Sequence, residues 1–525
     1  MRHFDYPFNY DGVSYFQSLA HAYNQGSLGA GLSETMNSAQ LPLYYSIQLV
    51  VSKLFGFSYP VALAVQTILT LLLCVAIAHS LYKSIFVNSR PSKALIAGFV
   101  SISIGIICAS GFLHVFMGNI FDFRIDLIGA LLLTMALVSF ERQNWFSSLW
   151  VALAVCERFH NLSIILVTLP IWAFLSAYLE SPSRGKHRPL VPGLLKTSFQ
   201  KMLFPCIGLV LIFVLRHSQF LELARYYWEG HFGLERQLRG SNWGIPGFFS
   251  YYPKGFIRGY LNIPLILLVL GANCFGLYLT RKDLDKISLK RRMGSVLPLI
   301  VGGTITFILL TIDPARNNNS VIRYFSIPFA FSLIGISTIV LKRILSIPRI
   351  KKAGMAFVFV YALACLRTEL IYLERFYENF DYMGIRKFDI VSQIDPIFQK
   401  MYLDASPDPT AAIKVAANFD SDLNFHPGQW NIFLASHQLR PKGYVFLMGS
   451  GFYIENFQRD KLPLLKKINY WVQASSGCIL DWIPTNQEIK KHTKEIQQEV
   501  RPRCNSLVGK VQLENCEIEV SRCQD

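Results

Sequence analysis

The acidic residues that could do proton chemistry stand next to long apolar segments. Asp11 lies in residues 10–57, a segment of mixed polarity that ends before the first long apolar run. Asp122 and Asp126 lie between two apolar runs, and residues four apart share one face of a helix. Carboxylates at a membrane boundary are costly unless they are paired or functional, so we expect catalytic residues among these three. The alternatives are a loop acid or helix N-cap at Asp11 and a salt-bridged cap at the pair.

Basic residues at a similar boundary could hold a phosphate. In the stretch Glu157-Arg-Phe-His-Asn, between two apolar runs, Arg158 offers a fork of donors and His160 offers one more. The alternative is a plain surface turn. The sequence contains no glycine-rich phosphate loop, no Ser-His-Asp order and no HExxH motif. Any chemistry must therefore come from polar groups dispersed over several loops.

Two further regions combine aromatic with basic residues, a composition suited to sugar faces and lipid phosphates. The first is the segment 217–259, and the second is the segment 313–324 at the start of an apolar run. An interfacial aromatic belt explains the first equally well, and arginine side chains that reach up to lipid headgroups explain the second. From these regions we select as substrate-binding candidates Tyr251, Tyr252, Arg316, Arg323 and Tyr324.

The elements that must position these residues are membrane helices. The chain has 525 residues, of which 52% are hydrophobic and 16% charged, against roughly 25% charged in an average soluble protein. A spanning helix needs about 20 mostly apolar residues, and segments that approach this length lie near 58–81, 94–116, 126–141, 144–158, 162–179, 202–216, 260–280, 294–312, 321–341 and 353–372.

The short basic loops between these segments fall on one side when the helices alternate, as the positive-inside rule predicts. That distribution explains the net charge of +17 without nucleic-acid binding. The opposite side then holds residues 1–57, the turn at 157–161, the loop 217–259 and the tail after residue 373. No predicted helix precedes residues 1–57 to export them. We expect a first membrane helix to be missing from the N-terminus; the alternative is that the first span exports a short N-terminus directly.

The tail contains Cys478, Cys504, Cys516 and Cys523 in a polar, alternating sequence typical of a small mixed α/β domain. Four cysteines allow three pairings into two disulfides and favour an oxidising compartment. A zinc site is the alternative, but no Cys-x-x-Cys pair supports it. The predicted organisation is a first extracytoplasmic loop with amphipathic helices (1–57), a transmembrane helical domain (58–372) and an extracytoplasmic C-terminal domain (373–525).

Several short motifs in order resemble the GT-C superfamily of polyprenyl-phosphate-sugar glycosyltransferases. They begin with Asp11 followed by Tyr15 and Ala20, and continue with Leu-Pro-Leu-Tyr-Tyr at 41–45 and Lys-Leu-Phe-Gly at 53–56. The acidic second loop, the Cys-Glu-Arg sequence ending at residue 158, and the Arg-Tyr pair at 323–324 keep the family order. Within the superfamily the chain resembles protein O-mannosyltransferases and bacterial aminoarabinose transferases for lipid A.

This resemblance implies inverting transfer of a sugar from a polyprenyl-phosphate donor to a lipid, glycan or protein acceptor on the extracytoplasmic side. Asp11 would be the base, with Asp122 or Asp126 as the acid of the second loop. Arg158 stands where relatives commonly carry a lysine, and Gly12 stands where many carry a second acid. The implied fold is an α-helical polytopic membrane protein with about ten transmembrane helices and a soluble mixed α/β domain, placed in the bacterial inner membrane with that domain in the periplasm.

The resemblance requires no cofactor, although some relatives use a divalent metal, and it gives no role to nucleic acid. Two other functions compete with it. A lipid-linked saccharide transporter or flippase would carry charges within its helices and inverted repeats, which this sequence does not display. An O-antigen polymerase or ligase would place its main catalytic loop late in the chain rather than near the N-terminus.

Overall fold

The structure, a computed structural model, consists of membrane-type helices followed by a β-sheet region. At Asp126, Arg323 and Tyr324 it describes the helical backbone without the side chain. Beside single positions elsewhere, it describes residues 18–19, 22–23, 25–38, 41–57, 59–86, 93–109, 126–180, 191–232, 296–308, 318–345, 413–417, 444–446, 469–474, 502–513 and 516–524.

Apart from α8, the helices from α3 onward lie at the predicted apolar segments. Of the expected spans at 260–280 and 353–372, only scattered short stretches are described, the longest being 354–356. A short 3-10 turn, Phe140–Arg142, follows the fifth helix. The helices are α1 (Leu28–Asn37), α2 (Pro42–Phe55), α3 (Tyr59–Ile85), α4 (Lys93–Ala109), α5 (Asp126–Ser139), α6 (Trp145–Glu157), α7 (His160–Glu180), α8 (Val191–Phe232), α9 (Val296–Ile308) and α10 (Asn318–Leu345).

Within the described residues, three helices are long and apolar enough to cross a membrane: Val61–Ile85 in α3, His160–Leu179 in α7 and Pro192–Glu222 in α8. At about 1.5 Å per residue, each covers the roughly 30 Å of a bilayer's hydrocarbon core. Shorter apolar helices lie in α4, α6, α9 and α10. The chain is thus a helical membrane protein, as its sequence predicted, while the number of spans and the predicted domain boundaries remain predictions.

Helix α5 forms the centre of the bundle. Its side chains from Leu127 to Val138 are all buried, and it packs against α3, α6 and α10. A helix that is hydrophobic on every side is expected to be surrounded by other helices. Helix α8 lies against α6 at Gly208, where an added Cβ would come within 2.3 Å of the Ser148 carbonyl oxygen. The Ser148 hydroxyl donates to the carbonyl of Phe204 at 2.6 Å, which fixes this approach.

The predicted loop at 217–259 is wrong in its first part. Helix α8 continues to Phe232 beyond a break at Arg216, whose φ and ψ are −134° and 30°. Residues 217–229 contain no glycine or proline, so nothing in the chain stops the helix there. The apolar stretch and the more polar one that follows it therefore form one helix with a break at Arg216.

The C-terminal region contains a five-stranded mixed sheet in the order β2-β1-β3-β5-β4. β1 pairs in parallel with β2 and β3, and β5 pairs antiparallel with β3 and β4. The strands are β1 (Ile413–Ala417), β2 (Tyr444–Phe446), β3 (Tyr470–Ala474), β4 (Ser506–Leu513) and β5 (Cys516–Arg522). A disulfide joins Cys504, before β4, to Cys523, after β5. This β region fits the predicted mixed domain.

Candidate functional site

Helix α2 begins without a cap of its own. Leu41, directly before it, has a left-handed backbone with φ of 54°, and its side chain makes no capping hydrogen bond. Pro42 occupies the first helical position and has no N–H group, so the first N–H groups that need an acceptor are those of Leu43 and Tyr44. A distant residue must supply that acceptor.

Glu157 supplies it from the last position of α6, more than a hundred residues along the chain. Its carboxylate accepts the N–H of Leu43 at 3.0 Å and the N–H of Tyr44 at 3.1 Å. The N-terminus of a helix carries a partial positive charge, which favours a carboxylate there. The main-chain carbonyl of Glu157 also accepts the N–H of Leu41 at 3.0 Å. Glu157 therefore provides hydrogen-bond acceptors for the start of α2 while its own carbonyl, at the end of α6, gains a donor.

Arg216, at the break in α8, binds to the same place from a third helix. Its guanidinium donates to the carbonyl of Cys156 at 3.3 Å and to the sulfur of Cys156 at 3.4 Å. It donates a further hydrogen bond to the carbonyl of Ser38, in the turn between α1 and α2. We call this meeting of α2, α6 and α8, built from Ser38, Leu41–Tyr44, Cys156, Glu157 and Arg216, the junction.

Polar contacts also fix α2 along its length. The Tyr44 hydroxyl donates to Oε1 of Gln66 in α3 at 3.1 Å and accepts from Nε2 of Gln48 at 2.9 Å, while Nε2 of Gln48 also reaches the carbonyl of Ala62 at 3.0 Å. The opposite face of α2 exposes apolar side chains, among them Leu54 at 73%. Helix α2 is thus held by buried hydrogen bonds on one side and presents an apolar surface on the other.

Arg158, the phosphate-binding candidate, directly follows Glu157 and is 4% exposed. Its stem packs on Gly129 of α5 so closely that a Cβ at Gly129 would lie 2.5 Å from Cγ of Arg158. Asn161 holds the same approach, since its Nδ2 donates to the carbonyls of Gly129 at 3.2 Å and Ala154 at 2.9 Å. Gly129 is one helical turn beyond Asp126, where α5 begins. The structure therefore brings Arg158 next to the end of α5 that carries Asp126.

The structure describes fewer contacts for the other predicted site residues. His160 is the half-buried first residue of α7, two positions from Arg158. Arg323 and Tyr324 belong to the beginning of α10. The remaining five candidates lie outside the described residues: Asp11, Asp122, Tyr251, Tyr252 and Arg316.

Glu157 and Arg216 were not selected by the sequence analysis. A signal for Glu157 was present, because Leu41-Pro42 starts a helix without Ser, Thr, Asp or Asn to cap it. The signal for Arg216 was a charged residue inside an apolar stretch. Neither signal identifies the partner. Within the described part of the chain, no group of three or more His, Cys, Asp or Glu side chains could hold a metal ion.

Together, the helices and the junction define an α-helical membrane protein in which the buried side chains of Glu157 and Arg216 meet where α2, α6 and α8 come together. No protein-family model matches the chain, and the search of curated proteins found no match.

Among solved structures, the chain is similar to the crystal structure of ArnT from Cupriavidus metallidurans bound to undecaprenyl phosphate. The sequence identity is 10% and the TM-score 0.47, and the match covers 98% of this chain and 94% of that chain.

Proposed function

We propose that the protein is a membrane glycosyltransferase of the GT-C type. It would move a sugar from a polyprenyl-phosphate donor to an acceptor on the extracytoplasmic side, with inversion at the anomeric carbon. Asp11 would act as the base, Arg158 would bind the donor phosphate, and Asp122 or Asp126 would contribute the second acid. The protein would lie in a bacterial inner membrane with its C-terminal domain in the periplasm.

The observation that supports this proposal is a contact between two of the motifs in which the sequence resembles the GT-C superfamily. Leu41-Pro-Leu-Tyr-Tyr and Cys-Glu-Arg at 156–158 are far apart in the chain, yet the Glu157 carboxylate binds the N–H groups of Leu43 and Tyr44. The second segment also contacts α5 near Asp126 through Arg158 and Gly129. Segments that build one active site have to meet in space, and these segments do.

The proposed chemistry is a single displacement. The acceptor hydroxyl oxygen attacks the anomeric carbon, and the bond from that carbon to the donor phosphate oxygen breaks. The proton of the hydroxyl passes to the Asp11 carboxylate, and the polyprenyl phosphate leaves with the electron pair. A cation such as Arg158 stabilises the charge on the departing phosphate. The step needs no redox partner, and a divalent metal would only add to the cationic charge.

The test is transfer of radiolabelled sugar from synthetic polyprenyl-phosphate-sugars by purified protein in detergent, with a membrane extract as acceptor. The wild type is compared with Asp11→Asn, which removes the proposed base, and with the control Glu222→Gln, which removes an exposed carboxylate from α8. We expect transfer by the wild type and the control and none by Asp11→Asn. Full activity of Asp11→Asn would refute the proposed mechanism. A wild type inactive with every donor would instead favour the transporter or polymerase functions.

A further inference from the structure

The junction contains two charged side chains that are almost fully buried. Glu157 is 3% exposed and Arg216 is 6% exposed. Burial of a charge destabilises a protein unless hydrogen bonds compensate for the lost water. Both side chains obtain these hydrogen bonds mainly from main-chain groups of other elements, so each fixes the backbone at the place it binds.

The two residues hold opposite parts of the same turn. Arg216 binds the carbonyl of Ser38 at the beginning of the turn between α1 and α2, whereas Glu157 binds the N–H groups of Leu43 and Tyr44 at its end. Arg216, the cation, binds a hydrogen-bond acceptor, whereas Glu157, the anion, binds two hydrogen-bond donors. The two contacts are therefore complementary. Neither residue can replace the other.

The contacts also connect three parts of the proposed active site. The turn belongs to the N-terminal segment that contains Asp11. Glu157 immediately precedes Arg158, and Arg216 marks the break in α8. The main chain of Arg158 is held as well, since its N–H donates to Ala154 at 3.2 Å and its carbonyl accepts from Asn161 at 3.0 Å.

We propose that Glu157 and Arg216 are positioning residues for glycosyl transfer, which hold Ser38 and the start of α2 in register with Arg158. This inference rests on the proposed function. Neither side chain touches the reacting atoms in this account. Their effect is on alignment, and a displacement of about 1 Å in an active site can reduce a rate by about a hundredfold.

The alignment role predicts a specific kinetic pattern. The stem of Arg158 remains packed on Gly129 when the junction is loosened, so binding of the donor is largely preserved. We expect the alignment of the proposed base, the acceptor hydroxyl and the sugar donor to be lost instead. We therefore expect Glu157→Gln and Arg216→Lys to lower kcat by about 10- to 100-fold and to change the donor KM by less than about threefold.

The experiment measures kcat and KM for a polyprenyl-phosphate-sugar donor on both variants, reconstituted in nanodiscs. Glu222→Gln and Arg367→Lys serve as matched controls, because both side chains are exposed. Amide hydrogen exchange of peptides covering residues 38–45 reports on the junction directly and should speed up in both variants but in neither control. Arg216→Lys keeps the positive charge and a donor, so it provides an answer even if Glu157→Gln does not fold.

The expected result is a loss in kcat confined to the two junction variants, accompanied by faster exchange. An active wild type whose junction variants keep kcat within about twofold would overturn the inference and leave the proposed function standing. So would an equal loss of kcat in the controls, or a loss that appears in KM alone. A wild type that transfers no sugar would refute the proposed function, and the inference would fail with it.

Discussion

At the junction, the Glu157 carboxylate serves two backbone N–H groups and the Arg216 guanidinium serves two backbone carbonyls, all within an apolar bundle. In the C-terminal sheet, the ladder between neighbouring strands provides the hydrogen bonds, and the Cys504–Cys523 disulfide closes the hairpin of β4 and β5. The charged pairs of the sheet lie on its surface. Lys510 contacts Glu517 at 2.8 Å and Glu519 at 3.6 Å, with these side chains between 35% and 41% exposed.

This difference shows where a single polar side chain matters. In the sheet, water can replace a lost side-chain contact, because the charged groups are already solvated. At the junction, a lost contact leaves a main-chain group buried without a partner. The same change of charge should therefore have very different effects in the two regions.

The largest effect is expected for Glu157→Leu. It leaves the N–H groups of Leu43 and Tyr44 buried without their acceptor and Arg216 without a nearby negative charge, which should lower the free energy of unfolding by about 3 kcal/mol. Thermal unfolding of the detergent-solubilised protein measures the change, and Glu222→Leu on the exposed face of α8 is the control. Equal stability of Glu157→Leu and the wild type would mean that the Glu157 hydrogen bonds contribute nothing.

The second-largest effect on stability is expected in the C-terminal sheet, where the disulfide connects the two ends of the β4–β5 hairpin. Replacing Cys504 and Cys523 by serine opens a loop of sequence separation 19 and should destabilise the region by about 3 kcal/mol at most. Proteolysis of the intact protein should then become faster within the tail only, while Cys206→Ser, which removes a free cysteine, changes nothing.

Peptide mapping without reductant should recover Cys504 joined to Cys523, and the other two tail cysteines, Cys478 and Cys516, joined to each other. Alkylation of Cys504 and Cys523 in protein that was never reduced would contradict both the pairing and the oxidising compartment.

A smaller effect is expected for Gly129→Ala. The new methyl group would meet Cγ of Arg158 at 2.5 Å, so Arg158 has to move, at about 1–2 kcal/mol of stability. The donor KM should rise as well, because the proposed phosphate ligand is displaced. Gly303→Ala is the matched control, since its nearest neighbour would be 3.8 Å away. An unchanged donor KM in Gly129→Ala would mean that Arg158 does not bind the donor.

The smallest effect is expected for Lys510→Gln in the sheet. The hydrogen bond to Glu517 raises the pKa of the Lys510 ammonium, but the group is solvated and its salt bridges are screened. The melting temperature should not change measurably at physiological salt. A loss of stability in Lys510→Gln as large as that in Glu157→Leu would mean that polar side chains matter equally in the sheet and at the junction.

The sequence predicted the helical class well, because a membrane helix is a local property. The apolar run from Tyr59 to Ile85 and the turn around Arg158 were both located, since they depend on composition within about 20 residues. The end of α8 was missed because a basic and aromatic composition is common to interfacial loops and amphipathic helices alike.

The contacts of the candidate site could be predicted only in part. Arg158 was selected because its residue type and position are visible in the sequence, and its role stays a prediction. The role of Glu157 depends on a contact 113 residues away with Tyr44, and no spacing rule connects the two. The same holds for the cysteines, for which the sequence allowed three pairings and the fold selects one bond, Cys504 to Cys523.

The most direct test of the proposed donor site is the affinity of purified protein for a synthetic polyprenyl phosphate, measured in nanodiscs for the wild type, Arg158→Ala and the control Glu222→Gln. We expect saturable binding by the wild type and the control, and a loss of at least about tenfold in Arg158→Ala, because a hydrogen-bonded charge contributes about 1.5–3 kcal/mol. Binding of equal strength by Arg158→Ala, or no binding by the wild type, would contradict the proposed donor site.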